Sequence, residues 1–318
     1  MFRIKLKTEY IVTAILILVS FAMARNSFAA QTIYFTENFE DTNFPARGWY
    51  DGTYTAGAIT ASQHHSGTHA YECHFAKGAV HCAGGDPRRM LFPASESVYV
   101  SYWVKMSPSW VGSGLPYHPH EFLILTDRNG VWDGPAFTHL TGYVEQLGNQ
   151  PVLSIQDGQN IDQEKIGVDL TNVTENRSVA GCNGSNPDGY TDVDCYNSGS
   201  GQYWNGKRWI ASGHTMSLNA WHHVEAYFRM NTIQSNKGIA DGMLQYWLDE
   251  QLIINRSNVL FRTNQNATMK WNQFMMAFYI GDGSPADQYL WIDDLTVADS
   301  RAGSVTTPPA APTGLSVN

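Results

Sequence analysis

The 318-residue sequence predicts an all-β protein, an antiparallel sandwich of two sheets. Three observations predict it. Strand-like segments recur along the chain, each bounded by Gly, Pro, Asn or Asp. Several of them alternate apolar and polar side chains at period two. None sustains a helical period. Strands that are apolar on one side, with no helices to cover them, bury that side only against a second sheet.

Taken in order, the chain opens with a targeting segment over residues 1–30. Arg3, Lys5 and Lys7 precede an apolar run from Ile11 to Ala24, and small residues allow cleavage after Ala24 or Ala30. The run is too short and wrongly flanked for a stable span, so the expected product is secreted, or periplasmic in a Gram-negative host. One sandwich domain is expected over 31–300. Its segments are QTIYFTENFE, AYECHFA, SVYVSYWVKM, HEFLILTD, PVLSIQD, WHHVEAYFRM, MLQYWLDEQLII, QFMMAFYIGD and YLWIDDLTVA. In WHHVEAYFRM, residues His222, Val224, Ala226, Phe228 and Met230 alternate with Trp221, His223, Glu225, Tyr227 and Arg229. Phe274, Met276, Phe278 and Ile280 form a long apolar face. Over 157–216 the apolar content falls, which predicts a long loop excursion over one rim. The tail 301–318 (AGSVTTPPAAP, then PTGLSVN) reads as a Pro/Thr/Ala linker.

The formal charge of −9, with no Lys/Arg run, argues against nucleic acid as a partner. The expected partner is a polysaccharide and the expected state a monomer. The four cysteines, Cys73, Cys82, Cys182 and Cys195, lack zinc-site spacing. They suit structural bridges in an oxidising compartment, and near-neighbour pairing closes two short loops.

The phrases WHHVEAYFRMNT, GIADGMLQYWLDEQLI and YLWIDDLTVA resemble the concanavalin A-like jelly-roll superfamily of lectins, glycanases and polysaccharide lyases. NFEDTNFPARGW and HHSGTHAYECHF resemble the first strands of related carbohydrate-binding modules. The likeness spans roughly Gln31 to Asp299 and implies a jelly-roll sandwich. The Glu-x-Asp-x-x-Glu string of the glucanase branch is absent, as are the Arg-Thr-Glu and Gln-Ile-His strands of the alginate-lyase branch. By the same resemblance, Glu40 and Asp293 or Asp294 bind a structural Ca²⁺ with carbonyls of the turn at Ser66 and Gly67. Solvated edge charges are the alternative. No organic cofactor is implied.

Three further sets come from the residues themselves. Asn186, Asp188, Asp192 and Asp194 around Gly189 form an Asx-rich turn or a second calcium loop. Tyr117, His118, His120 and Glu121 are the densest acid–base cluster in the chain. A uronate lyase needs a base for the C5 proton, an acid at the leaving oxygen and a group that neutralises the carboxylate. His120 suits the base, Tyr117 or Tyr227 the acid, and Arg88, Arg89 or Arg229 the neutralising group. A metal pair at His118 and His120, or plain loop histidines, are the alternatives. Lastly, Trp103, Lys105, His223, Glu225, Gln245 and Trp247 form either a sugar-binding groove or an ordinary wet face. The expected function is therefore a lyase acting on an acidic polysaccharide, with a non-catalytic binding module or lectin as the alternative and an adhesion protein as a third.

Overall fold

The structure, a computed structural model, describes residues 31–51, 59–83, 88–115, 120–127, 140–157, 195–197, 203–262 and 267–303. Thr32 to Arg301 forms one compact unit; of the other, residues 1–31 and 302–318, only Gln31, Ala302 and Gly303 are described.

Two antiparallel sheets make up the unit, a jelly-roll sandwich. The first contains β1 (Ile33–Glu37), β2 (Ile59–Thr60), β3 (Ala70–Phe75), β5 (Ser97–Met106), β11 (Trp221–Arg229), β14 (Gly242–Leu248), β15 (Gln251–Val259) and β17 (Gln288–Ala298), in the order β15-β14-β11-β5-β17-β3-β2, with β1 also on β17. The second contains β4 (Arg88–Ser95), β6 (His120–Thr126), β7 (Thr141–Leu147), β8 (Gln150–Asp157), β9 (Cys195–Asn197), β10 (Tyr203–Ile210) and β16 (Trp271–Tyr279), in the order β4-β16-β6-β7-β8-β10-β9. A small hairpin joins β12 (Ile233–Gln234) to β13 (Lys237–Gly238). The excursion expected over 157–216 is thus not loop throughout, because β9 and β10 extend the second sheet and Trp209 packs on the core.

The period-two pattern of β11 becomes the layering of the molecule. Val224, Ala226 and Phe228 are fully buried beside Val98, Val100 and Val104 of β5 and Leu244 of β14. From the second sheet, Phe122, Ile124, Phe274, Met276 and Phe278 complete the same core. Each such side chain contributes roughly 1.5–3 kcal/mol by leaving water. Phe122 packs between the sheets, its ring 4.6 Å from Tyr102 of the first and 5.5 Å and 5.6 Å from Phe274 and Phe278 of the second. Leu123, Leu125, Tyr143, Met275 and Ala277 alternate with these residues and form a second buried cluster. Strands β6, β7 and β16 are therefore buried on both sides, which is why FLIL and FMMAF read as unbroken apolar runs.

A disulfide joins Cys73 of β3 to Cys82. Cys182 and the side chain of Cys195 lie outside the described residues, as do residues 186–194 and the targeting segment. The ends of the unit are tied together. Thr32 N–H donates to Asp299 Oδ1 at 2.9 Å, and Asp299 N–H donates to the Thr32 carbonyl at 3.0 Å.

Candidate active site

On the first sheet, the register sets the polar residues of β11 side by side with those of β5 and β14. His223 faces Trp103, Glu225 faces Ser101 and Trp247, and Tyr227 faces Tyr99 and Gln245. These residues turn away from the second sheet because their neighbours Val224, Ala226 and Phe228 turn toward it. The face is closed on itself. Arg301 Nε and Nη2 grip the two oxygens of Glu225 at 2.8 Å each, Arg301 Nη2 reaches Glu250 at 2.6 Å, and Tyr99 Oη donates to Glu225 at 2.6 Å. Glu250 in turn meets His223 Nδ1 at 2.9 Å, and His223 Nε2 meets Ser101 at 2.9 Å. Burial disfavours the charged form of Glu225, but hydrogen bonds from Arg301 and then Tyr99 outweigh it and hold its pKa below the ordinary glutamate value. Burial, then Glu225, raises the Tyr99 phenol. A carboxylate gripped this way is a poor proton acceptor.

The tryptophans of this face are engaged too. His65 stacks on Trp103 at 3.7 Å, His223 lies nearly parallel to Trp103 at 5.0 Å, and the Arg301 guanidinium sits 4.9 Å over Trp247. Lys105 donates to Gln63 and Gln245 to Asn255. Among the described residues, His223, Glu225 and Glu250 are the one group of three His, Cys, Asp or Glu side chains close enough to share a metal ion. Arg301 already supplies the cation there.

A second constellation surrounds the turn from His65 to Thr68. Glu40 accepts from the Thr68 hydroxyl at 2.7 Å and the Thr68 N–H at 2.9 Å, which lowers its pKa to about 2. Its carboxylate lies over Gly67, whose φ is +59°; a Cβ there would fall 1.8 Å from Glu40 Oε1. Asp293 is fully buried and accepts from the N–H groups of His65, Ser66 and Asp294 at 2.8, 3.0 and 2.9 Å. Burial raises its pKa. Asp294, at φ +51°, accepts from the Ser66 hydroxyl at 2.6 Å.

The second sheet holds the remaining candidates. Arg88 is a core residue, fully buried, donating to Tyr71 Oη at 3.1 Å with its guanidinium 4.9 Å over Phe44. A polymer in solvent does not reach it, so the expected substrate-binding role is corrected: its parity on β4 matches Met90 and Phe92, which face the core. Arg89 turns the other way. It pairs with Asp51, lies over Tyr50 and approaches Gln273 at 3.5 Å. Glu121 is buried, accepting from Gln146 Nε2 at 3.1 Å. Burial pushes its pKa well above the usual carboxylate range; Gln146 opposes this and Glu145 adds to it. The backbone of His120 pairs directly with Tyr279 of β16, and Tyr279 is bridged on its other side by His81. The rings of His81 and Tyr279 are 5.1 Å apart. Tyr117, His118 and the side chain of His120 lie outside the described residues.

The residues expected to work together are thus divided. His120 and Glu121 belong to the second sheet; Tyr227 and Arg229 belong to the face of the first sheet that points away from it. The physical reason is the parity of β11, which puts Phe228 inside and its neighbours outside. Sequence reasoning missed Tyr279, His81, Gln273 and Tyr50 on the second sheet, and Arg301, Glu250 and Tyr99 on the first. Tyr279 stood in a recognised strand, in QFMMAFYIGD, but nothing local marks it as the partner of His120.

No family model matches the chain, and no curated protein matches it by sequence. Solved structures do. An alginate lyase from a Chlorella virus superposes with a TM-score of 0.58 at 10% identity, covering 84% of this chain and 100% of that one. A marine PL-14 alginate lyase from Aplysia kurodai gives 0.54 at 13% identity, covering 84% and 98%. An endo-β-1,4-glucuronan lyase from the fungus Trichoderma reesei gives 0.50 at 14% identity, covering 85% and 96%. At such identities the likeness speaks for the fold: the strand layout of this chain is one that these polysaccharide lyases share.

Proposed function

We propose that this chain is a secreted lyase that cleaves a uronate-containing polysaccharide by β-elimination. The observation that carries the reading is the register of β6 and β16, in which His120 and Tyr279 are direct partners. A base and a phenol contributed by paired positions of neighbouring strands suit an elimination that must both take and give a proton across one sugar linkage. His120 would take the proton at C5, the C–H electrons form the C4–C5 double bond, the bond from C4 to the leaving oxygen breaks, and Tyr279 would protonate that oxygen. Arg89, on the adjacent β4, is buried and already paired with Asp51, so it would neutralise a substrate carboxylate only by exchanging that partner. The alginate and glucuronan lyases that share the fold support the choice of an acidic glycan.

The binding-module reading draws on the aromatic face of the first sheet. Sugar stacking needs free ring faces, and those of Trp103 and Trp247 meet His65 and Arg301 instead.

The test is a panel of uronate polysaccharides incubated with the mature protein, followed by the near-ultraviolet absorbance of the unsaturated product. Wild type is expected to generate it, and His120→Ala and Tyr279→Phe to lose about 10²-fold or more in rate with unchanged circular dichroism. Retention on a glycan without product would instead support the binding module. Neither product nor retention would overturn both readings.

Calcium belongs to the same proposal. Glu40 and one of the two aspartates, Asp293 or Asp294, with carbonyls of the turn at Ser66 and Gly67, would hold it as a structural ion that ties the first strand region to the last. The fully buried Asp293 supports this, since a cation offsets the cost of burying its charge. Chelator should lower the melting temperature of wild type, Ca²⁺ should restore it, and Asp293→Asn should abolish the response. A wild type indifferent to chelator would remove the ion from the proposal.

A further inference from the structure

Resting on the assignment of Tyr279 to the reaction, we infer that His81 is a proton-returning residue, restoring to Tyr279 the proton it gives to the leaving oxygen. The loop that carries His81 is held on both flanks. On one side, Gly78 N–H donates to the Ser284 carbonyl at 2.7 Å, Ser284 N–H to Ala79 at 2.8 Å and Ile280 N–H to Val80 at 2.8 Å. On the other, Cys82 is bonded to the buried Cys73, and Ala83 N–H donates to the His74 carbonyl at 2.9 Å. The loop is therefore closed without any contribution from the imidazole. That ring is exposed, makes no hydrogen bond among the described residues and lies 5.1 Å from the Tyr279 ring. A fixed backbone thus presents a solvent-open imidazole to a half-buried phenol, and imidazole exchanges protons with water near neutral pH.

The need for such a group follows from the balance of the reaction. Each elimination breaks the Tyr279 O–H bond and leaves a phenolate. Before the next turnover that oxygen must regain a proton. Imidazolium at His81 gives it one, directly or through one water, and the neutral ring then takes another from solvent. The C5 proton leaves separately, from His120 to water. His81 acts through Tyr279 and touches neither C5 nor the leaving oxygen.

The test compares His81→Ala, His81→Gln and wild type on a cleaved uronate polymer, with and without added imidazole. His81→Ala should lose about 10-fold or more in kcat with KM unchanged, and imidazole should restore much of the loss. His81→Gln fills the site without a transferable proton, so it should be as slow as His81→Ala and gain nothing from imidazole. A wild-type kcat in either variant would overturn the inference, as would a loss in His81→Ala that imidazole does not relieve, which is the mark of a structural role. These results are separable from a failure of the proposed function: if wild type cleaves and Tyr279→Phe does not, the chemistry stands whatever His81 does. If wild type forms no product, the inference falls with the function beneath it.

Discussion

The two sheets use the same covalent alphabet differently. The first has one dry face and one wet face, and its wet face spends its charges on itself: Glu225, Arg301, Glu250, His223 and Ser101 form a chain of hydrogen bonds in which each carboxylate is matched. The second is dry on both sides over β6, β7 and β16, and carries its ionisable groups unevenly. Among the described residues, Glu121 is buried there with a single amide donor, from Gln146, and its Oε1 has no hydrogen-bond partner. Matched charges hold a surface in place; poorly matched ones hold a chemical potential that a reaction can draw on. The contrast directs attention to the second sheet, although the first has the more conspicuous aromatic display.

The largest effect that would sharpen the comparison is on stability. Phe122→Ala should cost ~3–5 kcal/mol, because Phe122 packs on both sheets and its loss leaves a cavity. Trp103→Ala, removing a larger ring from the wet face, should cost only about 1 kcal/mol, the scale of aromatic contacts on a half-exposed surface. Chemical denaturation measures both, and equal costs would mean that the first sheet has no wet face in the energetic sense. Next comes the network. Arg301→Ala leaves Glu225 buried without its cation and should cost about 2–3 kcal/mol, reduced from the fully buried case because Arg301 is partly exposed. Adding Glu225→Gln should recover part of that loss; additive costs would show that the pair is not coupled.

The smallest effect concerns pH. A carboxyl whose folded pKa is raised stays protonated in the native state while the unfolded chain ionises, so its burial weakens the fold as pH rises above the unfolded value of about 4.3. Glu121 has such a raised pKa. Glu121→Gln keeps an acceptor for Gln146 and should raise the unfolding free energy more at pH 8 than at pH 4, by something on the order of 1 kcal/mol at the higher pH. Glu225, shifted downward, has the opposite sign: its contribution is present above the unfolded value and disappears as pH falls through the folded one. An identical gain at both pH values would mean that Glu121 is ionised in the fold.

Architecture was legible wherever one side of a strand is wet. The alternation of β11 separates its two faces, and the structure places Val224, Ala226, Phe228 and Met230 in the core as read, whereas His222 of the same set is only partly buried and meets Asp249. It was less legible where strands are buried on both sides, or where polar composition concealed them, as with β9 and β10. Arg88 shows the same limit for a single residue: a guanidinium reads as solvent-facing until Phe44 and Tyr71 are found around it. The candidate site was harder still. His120 could be singled out from its neighbours, but Tyr279 and His81 reach it only through strand pairing between distant segments, and register is a property of the assembled sheet.

The position of β17 bears on how the protein folds. This last strand lies inside the first sheet, between β5 and β3, with β1 also laid against it. Without it, β1 and β3 lack the strand that joins them to β5, and the first sheet stays open at its centre. Closing this sheet therefore waits on pairings between segments far apart in sequence, the kind of contact whose loop-closure cost slows folding.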